Sequence, residues 1–138
     1  MNPATLIYLA GPIDGVSIED ACAWREDLAR HAPVGVVLFN PATAFHNVNK
    51  QTIQGADAVN RMVIQMSSAV VANLSGPGRA FGTMREIEFA RGACGKLVVV
   101  AVGPEPIEAL LAYDLIQAPD PLEALEFALE QLYDRGEV

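Results

Sequence analysis

A three-layer α/β sandwich around a parallel β-sheet is the fold that this 138-residue sequence predicts. Strand-like apolar runs alternate with segments of helical periodicity along the whole chain. One run, Leu97 to Val102, is apolar at nearly every position, as expected of a central strand buried on both faces. A hydrophobic fraction of 51% against 19% charged residues provides a sizeable core for one domain spanning residues 1–138.

The elements follow in order. Leu6 to Ala10 is a short apolar run closed by Gly11-Pro12, a natural first strand. Ser17 can cap a helix with Asp20 at its third position and Ala21, Trp24 and Leu28 at helical spacing. Pro33 ends that helix, and Val34 to Phe39 reads as a second strand despite Gly35. The stretch from Asn40 to Gln54 is polar and irregular, and connections of that length are usually functional or mobile. Asp57 to Met66 is helical, with Val59, Met62, Val63 and Met66 on one face. Ala69 to Leu74 is a third strand, Thr83 to Cys94 the helix after it, and Leu97 to Val102 the fourth strand. Between Pro104 and Ala118 the pattern gives a short helix over Ile107 to Ala112 and a fifth strand near Leu115-Ile116. Asp120-Pro121-Leu122-Glu123 starts the last helix with a cap, a proline at the first position and a capping glutamate. Leu122, Leu125, Phe127, Leu129 and Leu132 form its expected buried side.

Charge and cysteine usage narrow the function. A net charge of −8 disfavours nucleic acid and anionic lipid, which need a basic face, but leaves room for one small phosphate. No run approaches the length needed to span a bilayer, and the chain opens into a strand without a basic leader. Cys22 and Cys94 lie far apart in no metal-type spacing, so two packed thiols in a reduced, cytoplasmic setting are expected, with no metal or cofactor.

The most informative segment is Gly82-Thr83-Met84-Arg85-Glu86, which follows the third strand and the small-residue loop Ser75-Gly76-Pro77-Gly78. Ligands of open α/β sheets gather outside the carboxyl ends of the strands, where Glu86 would sit. One reading is structural: Thr83 caps the helix and Glu86 reaches back to the cap amide, a capping box. The other is catalytic. Glu86 heads the stripe Phe89, Ala90, Ala93 that should face the sheet, and a helix start would favour its ionised form. Glu88 can instead pair with Arg85 and Arg91 on the solvated side. In Tyr8-Leu9-Ala10-Gly11-Pro12-Ile13-Asp14-Gly15, glycines after the first strand allow a ligand close to the backbone. Ser75 and Arg79 could hold a phosphate or sugar hydroxyls, and His46 a base, though each alone reads more readily as an ordinary loop residue.

Together these pieces resemble the nucleoside 2-deoxyribosyltransferase family and its nucleotide N-glycosidase relatives. The likeness rests on Tyr8-Leu9-Ala10-Gly11-Pro12-Ile13, Trp24-Arg25, Phe39-Asn40-Pro41, Val70-Val71-Ala72-Asn73-Leu74, and Gly82-Thr83-x-x-Glu86-Ile87-x-x-Ala90. Gly95-Lys96 before an apolar strand extends it over roughly residues 5 to 102. The resemblance implies a flavodoxin-like sheet of order 2-1-3-4-5 and cleavage or transfer at the N-glycosidic bond of a (deoxy)nucleoside or its 5′-monophosphate. It assigns Glu86 as nucleophile and Tyr8 as the residue that positions it. It sets Gly11, Asp14 and Gly15, with Pro12 between them, beside the sugar or its 5′ substituent; Ser75 and Arg79 are our own candidates for the 5′ end. Asn40, Asn60, Gly82 and Thr83 complete the candidate substrate contacts. It also implies a site finished by a neighbouring subunit, hence a homodimer or larger homo-oligomer.

The chain departs from that pattern at two places. Many members carry aspartates near Asn60 and at the position of Ser68. Asn60 can hydrogen-bond a base but cannot protonate it, and general acid assistance is typically worth ~10²–10⁴-fold. Asp14 and Asp57 are the substitutes the sequence offers. Two rivals follow: a non-catalytic nucleotide-binding or sensing module on the same fold, and a structural domain in which Thr83 and Glu86 only cap.

Overall fold

The computed structural model describes residues 4–13, 15–45, 53–76, 78, 80–111 and 115–138. The chain runs β1 (Thr5–Ala10), α1 (Ile18–His31), β2 (Val36–Phe39), α2 (Pro41–Phe45), α3 (Ile53–Met66), β3 (Ala69–Asn73) and α4 (Phe81–Glu88). A π-helical turn over Phe89–Ala93 prolongs α4, and β4 (Leu97–Ala101), α5 (Glu108–Leu111), β5 (Ile116–Ala118) and α6 (Pro121–Asp134) complete it. The strands form one parallel sheet of order β2-β1-β3-β4-β5, the flavodoxin-like arrangement. Among the described residues no helix is long and apolar enough to cross a membrane.

Strand periodicity sorts the side chains between two faces. Ile7, Leu9, Val71 and Val99 pack with Leu28 of α1 and Leu125 and Leu132 of α6. Tyr8, Val70, Val98 and Val100 point the other way, against Ile64 of α3 and Ile87 and Ala90 beyond the sheet. Each fully buried Val, Leu or Ile contributes about 1.5–3 kcal/mol, so this alternation is what holds the central strands in register. Ser17 and Asp120 cap α1 and α6 as expected, accepting from the amides of Asp20 (3.1 Å) and Glu123 (2.9 Å).

Several elements differ from the sequence expectations. Val34 and Gly35 belong to a turn, closed by a 3.1 Å bond from the Val36 amide to the Pro33 carbonyl, so β2 starts later. The stretch read as irregular contains α2 and the first two residues of α3. On α3, Val63 and Ile64 face the core, whereas Val59, Met62 and Met66 are exposed. That helix carries apolar residues on more than one side, so periodicity alone picked the wrong stripe. Phe127 is also exposed; the buried stripe of α6 is Ala124, Leu125, Ala128 and Leu132, and Phe127 lies off that helical spacing. Ile107 precedes α5, where its amide and carbonyl are both bonded by the Gln117 side chain (2.7 and 3.0 Å).

Candidate active site

The site forms where β1 and β3 end. Tyr8 is fully buried, and its ring stacks on Phe39 with centroids 5.7 Å apart. That stacking follows from the sheet register, which makes Tyr8 and Phe39 direct neighbours. The Tyr8 hydroxyl donates to Oε2 of Glu86, tying the first strand to α4. Burial raises the Glu86 carboxyl to about 7, and the nearby Asp57 charge pushes the same way. The Tyr8 hydrogen bond and the charges of Arg25 and Arg85 pull it back only in part. Tyr8 itself is driven far above the usual phenol range, first by burial and then by the Glu86 charge, so it remains a proton-bearing donor.

The capping-box reading does not survive this geometry. The helical ladder starts a turn earlier than expected, with Met84 donating to the Ala80 carbonyl at 2.8 Å. Ala80 is therefore the cap residue, Thr83 lies inside α4, and Glu86 reaches Tyr8 rather than a cap amide. Glu86 consequently stands in the second turn, where the helix terminus no longer dominates, and burial decides its ionisation. Arg85 stays exposed and reaches Asp57, 3.5 Å away, and Asp57 also binds Arg61 at 2.6 Å. Asp57, Arg61, Arg85, Glu86 and Phe89 line an open cavity of about 420 Å³, within the range of small-molecule sites.

Two glycines bring the surrounding loops together. A methyl group on Gly11 would lie 2.6 Å from Cζ2 of Trp24, so only glycine lets the β1–α1 loop settle on that indole. Gly78 has φ +115°, and a methyl there would fall 2.7 Å from Cβ of Pro12 and 2.3 Å from Val16. The β3–α4 loop thus packs directly on the β1–α1 loop. Beneath both lies Arg25, 1% exposed, which donates to the carbonyls of Leu9 (3.3 Å), Gly11 (3.0 Å) and Ala21 (2.5 Å).

The remaining candidates divide. Asn40 caps α2, its Oδ1 accepting from the amides of Ala42 (3.0 Å) and Thr43 (3.3 Å). Ser75 donates through its hydroxyl (2.6 Å) and amide (3.0 Å) to Oδ1 of Asn73, a tight turn at the end of β3. Gly82 is exposed with open space on its Cβ side, and Gly15 is exposed with φ 75°. Asn60 Oδ1 and Thr83 Oγ1 are buried without a hydrogen-bond partner among the described residues. Asp14, His46 and Arg79 lie outside the described residues.

Sequence reasoning missed the Arg25 cage, the Asp57–Arg61–Arg85 contact and the π-helical turn. Only the first left a usable signal, since Ala21, Arg25 and Leu28 share one helical face. Fold and site together describe an open parallel α/β protein with a tyrosine-held carboxylate at the carboxyl end of its sheet.

Proteins of known structure share this architecture. A 2-deoxyribosyltransferase from the psychrotolerant bacterium Bacillus psychrosaccharolyticus superposes with TM-score 0.66 at 17% identity, over 86% of this chain and 89% of that one. The 2-desoxiribosyltransferase from Leishmania mexicana gives 0.58 at 22% identity, over 86% and 76%. At these identities the likeness is one of fold. No protein-family model and no curated protein matches the chain.

Proposed function

We propose that this protein acts on the N-glycosidic bond of a (deoxy)nucleoside or its 5′-monophosphate, as a transferase or hydrolase, through a covalent glycosyl intermediate on Glu86. The observation that carries the reading is the bond from the Tyr8 hydroxyl to the Glu86 carboxylate beside an open cavity, on a fold shared with two 2-deoxyribosyltransferases. Breaking an N-glycosidic bond places positive charge on the sugar ring, and a carboxylate facing the anomeric carbon stabilises that charge and captures it as an ester. Glu86 attacks as the C–N bond breaks, the base leaves with its electron pair and takes a proton, and a second base or water then releases the sugar. Tyr8 holds one carboxylate oxygen, leaving the other for the sugar. Asp57 lines the same cavity but is ion-paired with Arg61 and Arg85, so Asp14 or solvent supplies the proton for the base. Gly11, Pro12, Gly15 and Gly82 border the sugar, and Ser75 and Arg79 its 5′ end.

Mass spectrometry after incubation with deoxynucleosides and their monophosphates tests this. Free or exchanged base is expected from the native protein and none from Glu86→Ala; full activity in that variant would refute the assignment.

A second reading is a nucleotide-binding module without turnover. It is favoured by Asn60, an amide whose buried Oδ1 waits for a donor where a proton-bearing acid would serve catalysis. It expects nucleotides to raise the melting temperature with no product over hours.

A further inference from the structure

Arg25 is a fully buried guanidinium whose hydrogen bonds among the described residues go to neutral carbonyls, those of Leu9, Gly11 and Ala21. Among the described residues no carboxylate pairs with it, and its one ring contact is the Trp24 indole, 4.5 Å from the guanidinium carbon. Such an arrangement is expensive. An uncompensated buried charge costs several kcal/mol, and apolar residues of similar volume often replace even paired buried ions without loss. Packing alone therefore does not account for it. Two of its three carbonyls belong to the last turnless stretch of β1 and the glycine that follows, the segment that presents Tyr8.

We propose that Arg25 is a positioning residue of the Tyr8–Glu86 site, fixing the end of β1 through the Leu9 and Gly11 carbonyls and so holding the Tyr8 hydroxyl on the Glu86 carboxylate. Its catalytic consequence rests on the glycosyl-transfer reading; its effect on Glu86 does not. Among the described residues, the groups that act on Glu86 are the neutral Tyr8 hydroxyl from β1 and the charges of Arg25 from α1, Asp57 from α3 and Arg85 from its own helix. Arg25 in turn faces Tyr8, Glu86 and Cys22, and burial draws it down to about 10.

The test titrates Glu86 directly in the ligand-free protein by carbon-13 NMR of glutamate-labelled samples, its resonance identified by loss in Glu86→Gln. Arg25→Met removes the charge and the donors; Arg25→Lys keeps the charge but cannot reproduce the three-way fork. The midpoint is expected to rise by at least about half a pH unit in both variants, because each loses the fork that holds Tyr8 on Glu86. An unmoved midpoint in folded Arg25→Lys overturns the proposal, as does a rise in Arg25→Met alone, which would make Arg25 a charge and not a support. Should Arg25→Met fail to fold, Arg25→Lys decides alone: a rise of about half a unit or more supports the proposal and a held midpoint refutes it. Where product is formed, the acid limb of kcat/KM should follow the same shifts. Absence of product from every protein would remove the glycosyl-transfer reading and leave the titration result standing.

Discussion

Replacing Glu86 by glutamine should make the fold more stable at alkaline pH while abolishing turnover. The folded carboxyl titrates at about 7 against an ordinary value of 4.5, with burial the main cause. The folded state therefore binds this proton more tightly than the unfolded chain. Wild-type stability is fully present below about pH 4.5 and declines as pH rises, until Glu86 is ionised in both states above about 7. At about 1.4 kcal/mol per pH unit the full cost is about 3.5 kcal/mol. An amide cannot ionise and escapes that cost, but it accepts the Tyr8 hydrogen less strongly than a carboxylate, a loss of about 1 kcal/mol. Glu86→Gln should thus gain about 2.5 kcal/mol at pH 8 and nothing at pH 5. Urea unfolding followed by circular dichroism reads this as a midpoint raised by about 1 M at pH 8 alone. A variant no more stable than wild type at pH 8, or equally stabilised at both pH values, would refute a buried, proton-retaining carboxyl.

Three further outcomes are expected. If Glu86 must be ionised to attack, product formation should fall about tenfold for each pH unit below about 7, and an acid limb near pH 4 would contradict that. Gly11→Ala should cost about 1–3 kcal/mol in urea unfolding, because the new methyl meets Trp24, whereas Gly82→Ala meets nothing and should cost nothing; equal losses would count against the packing account. The exposed Val59, Met62 and Met66 on α3 suit contact with a second copy of the chain. Light scattering should find a dimer or larger assembly that Met62→Glu with Met66→Glu reduces to a monomer, and a wild-type monomer at micromolar concentration would end that idea.

What the sequence disclosed follows from which physical signals are local. The strands were readable because β3 and β4 are buried on both faces, which forces unbroken apolar runs such as Val98-Val99-Val100. Caps were readable where a side chain bonds an amide three residues on, as at Ser17 and Asp120. The same signature misled at Thr83, because whether a helix starts at a Thr or one turn before it depends on backbone bonds that no side chain advertises. The outward stripe of α3 misled for a related reason: Met62 and Met66 carry the pattern of a core face without occupying one. At the site, Tyr8 and Glu86 were named from motif spacing, but the value of about 7 arises from burial between elements 78 residues apart in sequence, which only folding creates.

The π-helical turn after α4 bears on how this segment tolerates change. The Cys94 amide donates to the Phe89 carbonyl (3.1 Å) and the Lys96 amide to Ala90 (2.9 Å), so the helix carries surplus residues just beyond Glu86. Ala90 is pinned against the sheet, while the carboxylate lies four positions upstream. Removing one residue downstream of Ala90 would only shorten the approach to β4. Removing one between Glu86 and Ala90 would rotate everything upstream by about 100° about the helix axis and swing Glu86 away from Tyr8. Length, as much as side-chain chemistry, is therefore under constraint here: the stretch from 86 to 90 works as a phase setting, and a deletion there should be as damaging as losing the glutamate itself.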